Sequence, residues 1–324
     1  MRTPNCFAAN AFRHATLCAA LTLLLFLAPP ALAEDYSFAL FGDTPYSNTE
    51  RERLPTMLEA MARDGIAFAV HDGDIKNGHS ACSDDLYRDR LQVFQAARFP
   101  LVYVPGDNEW TDCHRLFDGF YNPEERLKRL RQIFFSDKET LGRTRFPLER
   151  QGLLDANFRD YVENVRWRRG RVLFVGVNIP GSENNFGDGK RPSQEFVARG
   201  KANRAWLEAS FALARKERDS VVFVIIQANP GFEGFNAGRP CLPYGDFLRQ
   251  LTALTLAFPG RVILVHGDTH NQHVDQPLRD PASRRVVRKF TRIETFGSPY
   301  MGWTKVTVNN ADTAPVLKLE VKAF

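Results

Sequence analysis

Apolar residues in this chain come in short runs that stop abruptly. Phe38 to Phe41, Phe68 to His71, Leu101 to Val104 and Val262 to Val265 are rich in β-branched and aromatic side chains, and each leads into a Gly-Asp pair: Gly42-Asp43, Gly73-Asp74, Gly106-Asp107 and Gly267-Asp268. Such runs read as strands buried on both faces. Between them the period changes: Glu50 to Arg63 carries Leu54, Met57, Leu58 and Met61 at helical spacing, and Asp84 to Ala97 follows Ser83, a good N-cap. Further helices are expected over Pro123 to Phe135, Ala202 to Arg218 and Tyr244 to Phe258, with strands at Arg171 to Val177 and Val221 to Ile226. Glu139 to Arg171 is Arg-rich and shows no clean period, and Arg166 to Arg169 reads as a solvated strand or turn face.

The tail differs. Phe290 to Phe296, Lys305 to Val308 and Val316 to Val321 alternate apolar and polar residues with no helix between them, the pattern of antiparallel strands. A second sheet made from such strands would pack on the first. The expected fold class is therefore α/β, a four-layer αββα sandwich with two mixed sheets.

Residues just beyond the carboxyl ends of strands in an α/β sheet face one shared crevice. Asp43, Asp74, Asp107 and Asp268 are thus expected to converge. A single Asp after Gly often only caps a turn. Four of them, the last in the series Gly267-Asp268-Thr269-His270, argue instead for a site. Crowded carboxylates repel unless protons or cations lie among them, and divalent ions are the usual answer.

Composition adds a compartment. Residues 1–33 carry Arg2 and Arg13, an apolar stretch from Ala15 to Leu27 and then Ala31-Leu32-Ala33, the layout of a secretory signal peptide. The stretch is shorter than the roughly 20 residues a membrane span needs. Cleavage after Ala33 would leave residues 34–324 as one domain, secreted or periplasmic and without a membrane anchor. The formal charge is +5, two of which leave with Arg2 and Arg13, too mild a balance to indicate nucleic acid. Cys82, Cys113 and Cys241 remain in an oxidising compartment. Cys82 and Cys113 follow the second and third Gly-Asp loops, which adjacent strands would bring together, so they are the expected disulfide.

Taken in order, Gly42-Asp43-Thr44-Pro45, Gly73-Asp74, Gly106-Asp107-Asn108-Glu109, Gln227-Ala228-Asn229-Pro230 and Gly267-Asp268-Thr269-His270 give a layout that resembles the calcineurin-like metallophosphoesterases. The resemblance covers nearly all of residues 34–324. It implies hydrolysis of a phosphate mono- or diester on a small phosphorylated substrate by a metal-activated hydroxide, with one or two divalent ions, Mn, Fe, Mg or Zn. Residue by residue it places Asp43 and His270 on one ion, Asp74 as the bridging carboxylate, and Asp107 and Asp268 on the second ion. Where the family pattern has His, this chain has Pro45, Asn108, Asp268, and Ala228 or Asn229 beside Gln227. Asn108 cannot act as a general acid near neutral pH, so its implied part is to orient the phosphate. Oxygen donors in place of imidazoles favour harder ions such as Mg, Ca or Mn.

The same substitutions support a second expectation, a phosphoesterase-fold protein that binds or scaffolds without turnover. Of the remaining histidines, His266 is a possible substitute ligand and His71 reads as buried and structural. Arg115 is either a phosphate clamp or a solvated charge. No Gly-x-Ser-x-Gly elbow is present, and Gly187-Asp188-Gly189-Lys190 lacks the spacing of a phosphate loop.

Overall fold

The computed structural model of the protein describes residues 34–187, 189–310 and 315–324. The expected signal peptide, residues 1–33, lies outside the described residues. The strands are β1 (Tyr36–Phe41), β2 (Phe68–His71), β3 (Leu101–Tyr103), β4 (Glu149–Arg150), β5 (Val165–Arg169), β6 (Val172–Gly176), β7 (Val221–Ile225), β8 (Arg261–His266), β9 (His273–Asp275), β10 (Phe290–Glu294), β11 (Gly302–Asn309) and β12 (Val316–Ala323). Between them run helices α1 (Asn48–Arg63), α2 (Asp84–Ala96), α3 (Pro123–Phe134), α4 (Gln151–Leu154), α5 (Gln194–Lys216), α6 (Phe232–Asn236) and α7 (Gly245–Ala257). None of the described helices is long and apolar enough to cross a membrane.

The strands form two mixed sheets, β12-β11-β1-β2-β3 and β4-β5-β6-β7-β8-β10-β9. β1, β2 and β3 pair in parallel, as do β6, β7, β8 and β10, so the Gly-Asp strand ends of both sheets open at one edge of the molecule. The sheets meet over an aromatic layer. Phe38 stacks on Phe68 and Phe174 on Phe223, with ring centroids 4.9 and 5.1 Å apart. Phe38 meets Phe174 edge-on at 5.1 Å, and Trp167 stacks on Phe174 at 4.9 Å. The outer face of the first sheet buries Leu54, Met57, Leu58 and Met61 of α1 with residues of α2 and α3, and the outer face of the second is covered by α5 and α7. This is the expected αββα order.

Helix starts follow local chemistry. Ser47, Ser83 and Ser193 each accept a backbone N–H two or three residues into α1, α2 and α5, and Asn122 does the same for α3 with Pro123 in its first turn. Two parts of the sequence-based picture are corrected. The tail does not make a sheet of its own: β11 and β12 add antiparallel to β1, whereas β10 joins the other sheet parallel to β8. Alternation alone does not tell which sheet edge a strand will complete. The Arg-rich stretch read as a solvated strand or turn face is the strand β5, but it is not wholly solvated: Trp167 is buried between the sheets while Arg168 and Arg169 face outward or to the rim.

The Cys82–Cys113 disulfide forms as expected, tying the loops after β2 and β3, and Cys241 is free. Because Phe174 contacts aromatic rings from both sheets, Phe174→Ala is expected to lower unfolding free energy by about 3–5 kcal/mol. Urea unfolding measures it, and a loss below about 1 kcal/mol would show that the aromatic layer is not what joins the sheets.

Candidate metal centre

The strand-end turns aim their carboxylates by adopting backbone that L-residues rarely hold. Asp43, Asp74, Asp268 and His270 have φ of 45°, 58°, 77° and 58°. Such left-handed residues cost about 1–2 kcal/mol each and persist where surrounding structure over-determines them. Here the determinants are hydrogen bonds between loops. The Asp268 N–H donates to both carboxylate oxygens of Asp43 at 3.1 Å, and the Ser298 N–H donates to the Asp43 carbonyl at 2.9 Å. Glu109, fully buried, accepts from Tyr103 Oη at 2.7 Å and from the Gly106 and Asp74 N–H groups at 2.6 and 3.1 Å, fixing the second and third loops to each other.

All four Asp residues named from the sequence reach the crevice, and His270 joins them. His270 Nε2 lies 3.4 Å from Asp43 Oδ1, and its Nδ1–H donates to the Ser298 carbonyl at 2.8 Å. The Asp43 hydrogen bond raises the pKa of His270 and favours the imidazolium. Burial raises Asp43, and the bond from His270 opposes that. Burial, then the neighbouring Asp107, pushes Asp74 well up and Asp268 up to about 7. Asn108 turns inward: its backbone N–H reaches Asp74 Oδ1 at 3.1 Å, and its Nδ2 reaches Asp74 Oδ2 at 2.8 Å and Tyr46 Oη at 2.9 Å.

Two participants were not singled out from the sequence. Tyr46 places its hydroxyl between two of the carboxylates, 2.7 Å from Asp74 Oδ2 and 3.4 Å from Asp43 Oδ1. Burial, reinforced by those carboxylates, raises its pKa, so it is a neutral donor. It follows Pro45, which stands where the pattern this sequence resembles has a histidine. Ser182 donates to Asp107 Oδ2 at 2.5 Å from a loop with no motif. Arg115 stands beside it at the rim, 3.2 Å from Ser182 Oγ and ion-paired with Asp112 at 2.6 Å. Ala228 is buried, and Gln227 Oε1 accepts the Gly181 N–H at 2.5 Å, so neither stands in for an imidazole. His266 is buried, its pKa pushed down to about 3, with Nδ1 on the Gly267 carbonyl at 2.8 Å. His71 is buried too: it takes the Gly73 N–H on Nδ1 at 3.2 Å and donates from Nε2 to Thr44 at 2.9 Å, the structural part the sequence suggested.

Whether these residues fit divalent ions differs between the two ends of the crevice. At the Asp43–Asp74 end the donors are spent on Tyr46, Asn108, His270 and the Asp268 amide. Among the described residues no cluster of three or more His, Cys, Asp or Glu is arranged to hold an ion. At the other end Asp107 Oδ1 is buried with no hydrogen-bond partner. A Cβ added at Gly181 would sit 3.0 Å from that oxygen and 2.7 Å from Asp268 Oδ1, so two carboxylate oxygens converge beside a residue that has no side chain. That end fits one hard ion of the kind bound through one or two carboxylates and otherwise through water or substrate.

No protein-family model matches the chain. No curated protein matches it in sequence. Solved structures do match in shape. The chain is similar to a dimetal phosphatase from Danio rerio, with a TM-score of 0.54 at 12% identity, covering 89% of this chain and 96% of that one. It is similar to PhoD, with a TM-score of 0.56 at 14% identity over 91% of this chain and 71% of that one. A purple acid phosphatase from yellow lupin seeds gives 0.54 at 13% identity, over 90% of this chain and 52% of that one. These likenesses show that the chain has the metallo-dependent phosphatase fold.

His71 is held neutral by burial, its pKa falling from 6.5 to about 4. Its contribution to stability is therefore complete above pH 6.5 and is lost progressively as pH falls toward 4, up to about 3 kcal/mol. The difference in unfolding free energy between wild type and His71→Gln should narrow by that order between pH 7 and 4. A difference that does not change with pH would show that burial does not lower the His71 pKa.

Proposed function

We propose that the chain is a secreted or periplasmic phosphoesterase acting on a small phosphate mono- or diester, with one oxygen-ligated divalent ion, Mg or Mn, held by Asp107 and Asp268. The observation that carries this reading is the unpartnered, buried Asp107 Oδ1 converging with Asp268 on the space beside Gly181. The ion, when bound, supplies Lewis-acid polarisation of a phosphoryl oxygen. The chain's own residues do the rest. His270, held by Asp43 and Ser298 and partly exposed, has its charged form favoured by Asp43, and in that form it can hydrogen-bond a phosphate oxygen or give a proton to the leaving oxygen. Arg115 offsets the acidic crevice at the opposite rim. Asn108 and Tyr46 hold Asp74 in place rather than touching substrate. The disulfide supports the oxidising compartment.

Metal analysis and titration calorimetry of the purified full chain test this. Wild type is expected to bind one Mg or Mn per chain and to hydrolyse an aryl phosphate, and Asp107→Asn and Asp268→Asn to lose both, with turnover falling about 100-fold or more. A wild type that binds neither ion overturns the reading.

A second reading, binding or scaffolding without turnover, rests on Tyr46, whose hydroxyl fills the space between Asp43 and Asp74. An ion bound without hydrolysis of any phosphate ester would favour it. Tyr46→Phe, which removes only that hydroxyl, is expected to raise the ions bound above one per chain. Unchanged stoichiometry would show that the hydroxyl is not what closes that end.

A further inference from the structure

Behind the loop that carries Gly181, a cavity of about 670 Å3 lies between the first half of α5 and the segment joining α6 to α7. Its volume falls in the range of about 300–1,000 Å3 usual for small-molecule sites. The floor is apolar, formed by Ile179, Phe186, Leu207, Phe235 and Phe247. The mouth is cationic. Lys201 and Arg204 come from α5, and Arg239 and Arg249 from the opposite wall. Among the described residues the only acidic side chain lining the cavity is Asp246, ion-paired with Arg249 at 2.5 Å and with Arg204 at 3.8 Å. Arg199 also lines the cavity, but it is buried and already satisfied by Glu195 and Asn184. Four cations against one carboxylate around an apolar floor leave an unbalanced positive mouth.

The helix facing this mouth is open where an ordinary helix would carry a side chain. Gly200 lies within the 23-residue α5 and lines the cavity, and a Cβ added there would meet no atom within 4 Å. Glycine within a helix costs about 1 kcal/mol relative to alanine. No packing contact requires the absence of a side chain at this position, so a side chain placed there projects into open space at the edge of the cavity.

We propose that this cavity is a binding site for a small single-chain organic anion, with an alkyl or aryl body on the Phe186, Phe235 and Phe247 floor and one anionic head among Lys201, Arg204, Arg239 and Arg249. A neutral amphiphile would satisfy the floor but leave the cations unanswered. A cationic one would be repelled. The site is separate from the crevice and does not depend on the phosphoesterase reading.

Displacement of anilinonaphthalene sulfonate fluorescence from the intact chain tests the proposal, with decanoate, decanol and decyltrimethylammonium as competitors. Decanoate is expected to compete at least about tenfold better than decanol, an advantage that shrinks with salt. Gly200→Glu, placing a carboxylate at the mouth, should weaken decanoate by about the same factor, and Arg239→Glu, on another element, should do likewise. Gly200→Ala should bind decanoate as wild type does and melt at a higher temperature. Equal competition by decanoate and decanol, or decanoate affinity unchanged in both charge variants, overturns the proposal. Hydrolysis of an aryl phosphate by Gly200→Glu at the wild-type level would confirm that the crevice is unaffected.

Discussion

The Asp43 carboxylate is the joint on which the crevice depends. It follows β1 in one sheet and accepts the Asp268 amide after β8 in the other, while its carbonyl takes Ser298 from the loop after β10. Such closeness has a steric condition. A Cβ at Gly267 would fall 1.9 Å from Asp43 Oδ2, so the sequence must have glycine there for the sheets to meet at their strand ends. The left-handed backbone at Asp43, Asp74, Asp268 and His270 follows from the same approach, because the chain must turn sharply at the strand ends to bring the side chains together.

Burying like charges at this joint forces a division among them. Glu109 is met by Tyr103 and three backbone N–H groups and serves as a brace. Asp72 is met by Thr295 from the opposite sheet and is equally structural. Asp74 is quenched by Tyr46 and Asn108. Asp107 differs from these three in having an oxygen with no hydrogen-bond partner, a property it shares with Glu294 and Asp118. It differs from those two in that this oxygen converges with Asp268 on the space beside Gly181. In a medium that penalises desolvated charge, an unanswered buried carboxylate oxygen is unfavourable unless something binds it, and that points to the Asp107–Asp268 end as the reactive one.

Most of this architecture was legible in the chain. The parallel strands were visible because burial on both faces makes them uniformly apolar, and the convergence of Asp43, Asp74, Asp107 and Asp268 followed from where such strands end. β5 could be read only as a solvated strand or turn face because three arginines, Arg166, Arg168 and Arg169, mask its inward Val165 and Trp167. β10 was visible as a strand but not as a partner of β8, since pairing depends on which edge is free. Tyr46 and Ser182 escaped for another reason: each acts through a loop conformation, and no local pattern distinguishes a tyrosine aimed at a carboxylate from one aimed at solvent.

The loop after β6 shows how much such conformations carry. Ser182, Glu183, Asn184 and Asn185 are consecutive, and all have left-handed φ between 43° and 55°. A run of this kind is disfavoured at every step, so it survives only where its ends are held. They are. Ser182 donates to Asp107, while Asn184 donates to the Pro243 carbonyl at 3.0 Å and accepts from the buried Arg199 at 2.6 Å. One face of the turn is therefore a wall of the acidic crevice and the other a wall of the cationic cavity. The same few residues that leave Asp107 with one answered and one unanswered oxygen also line the space behind it, so one loop borders two otherwise separate sites.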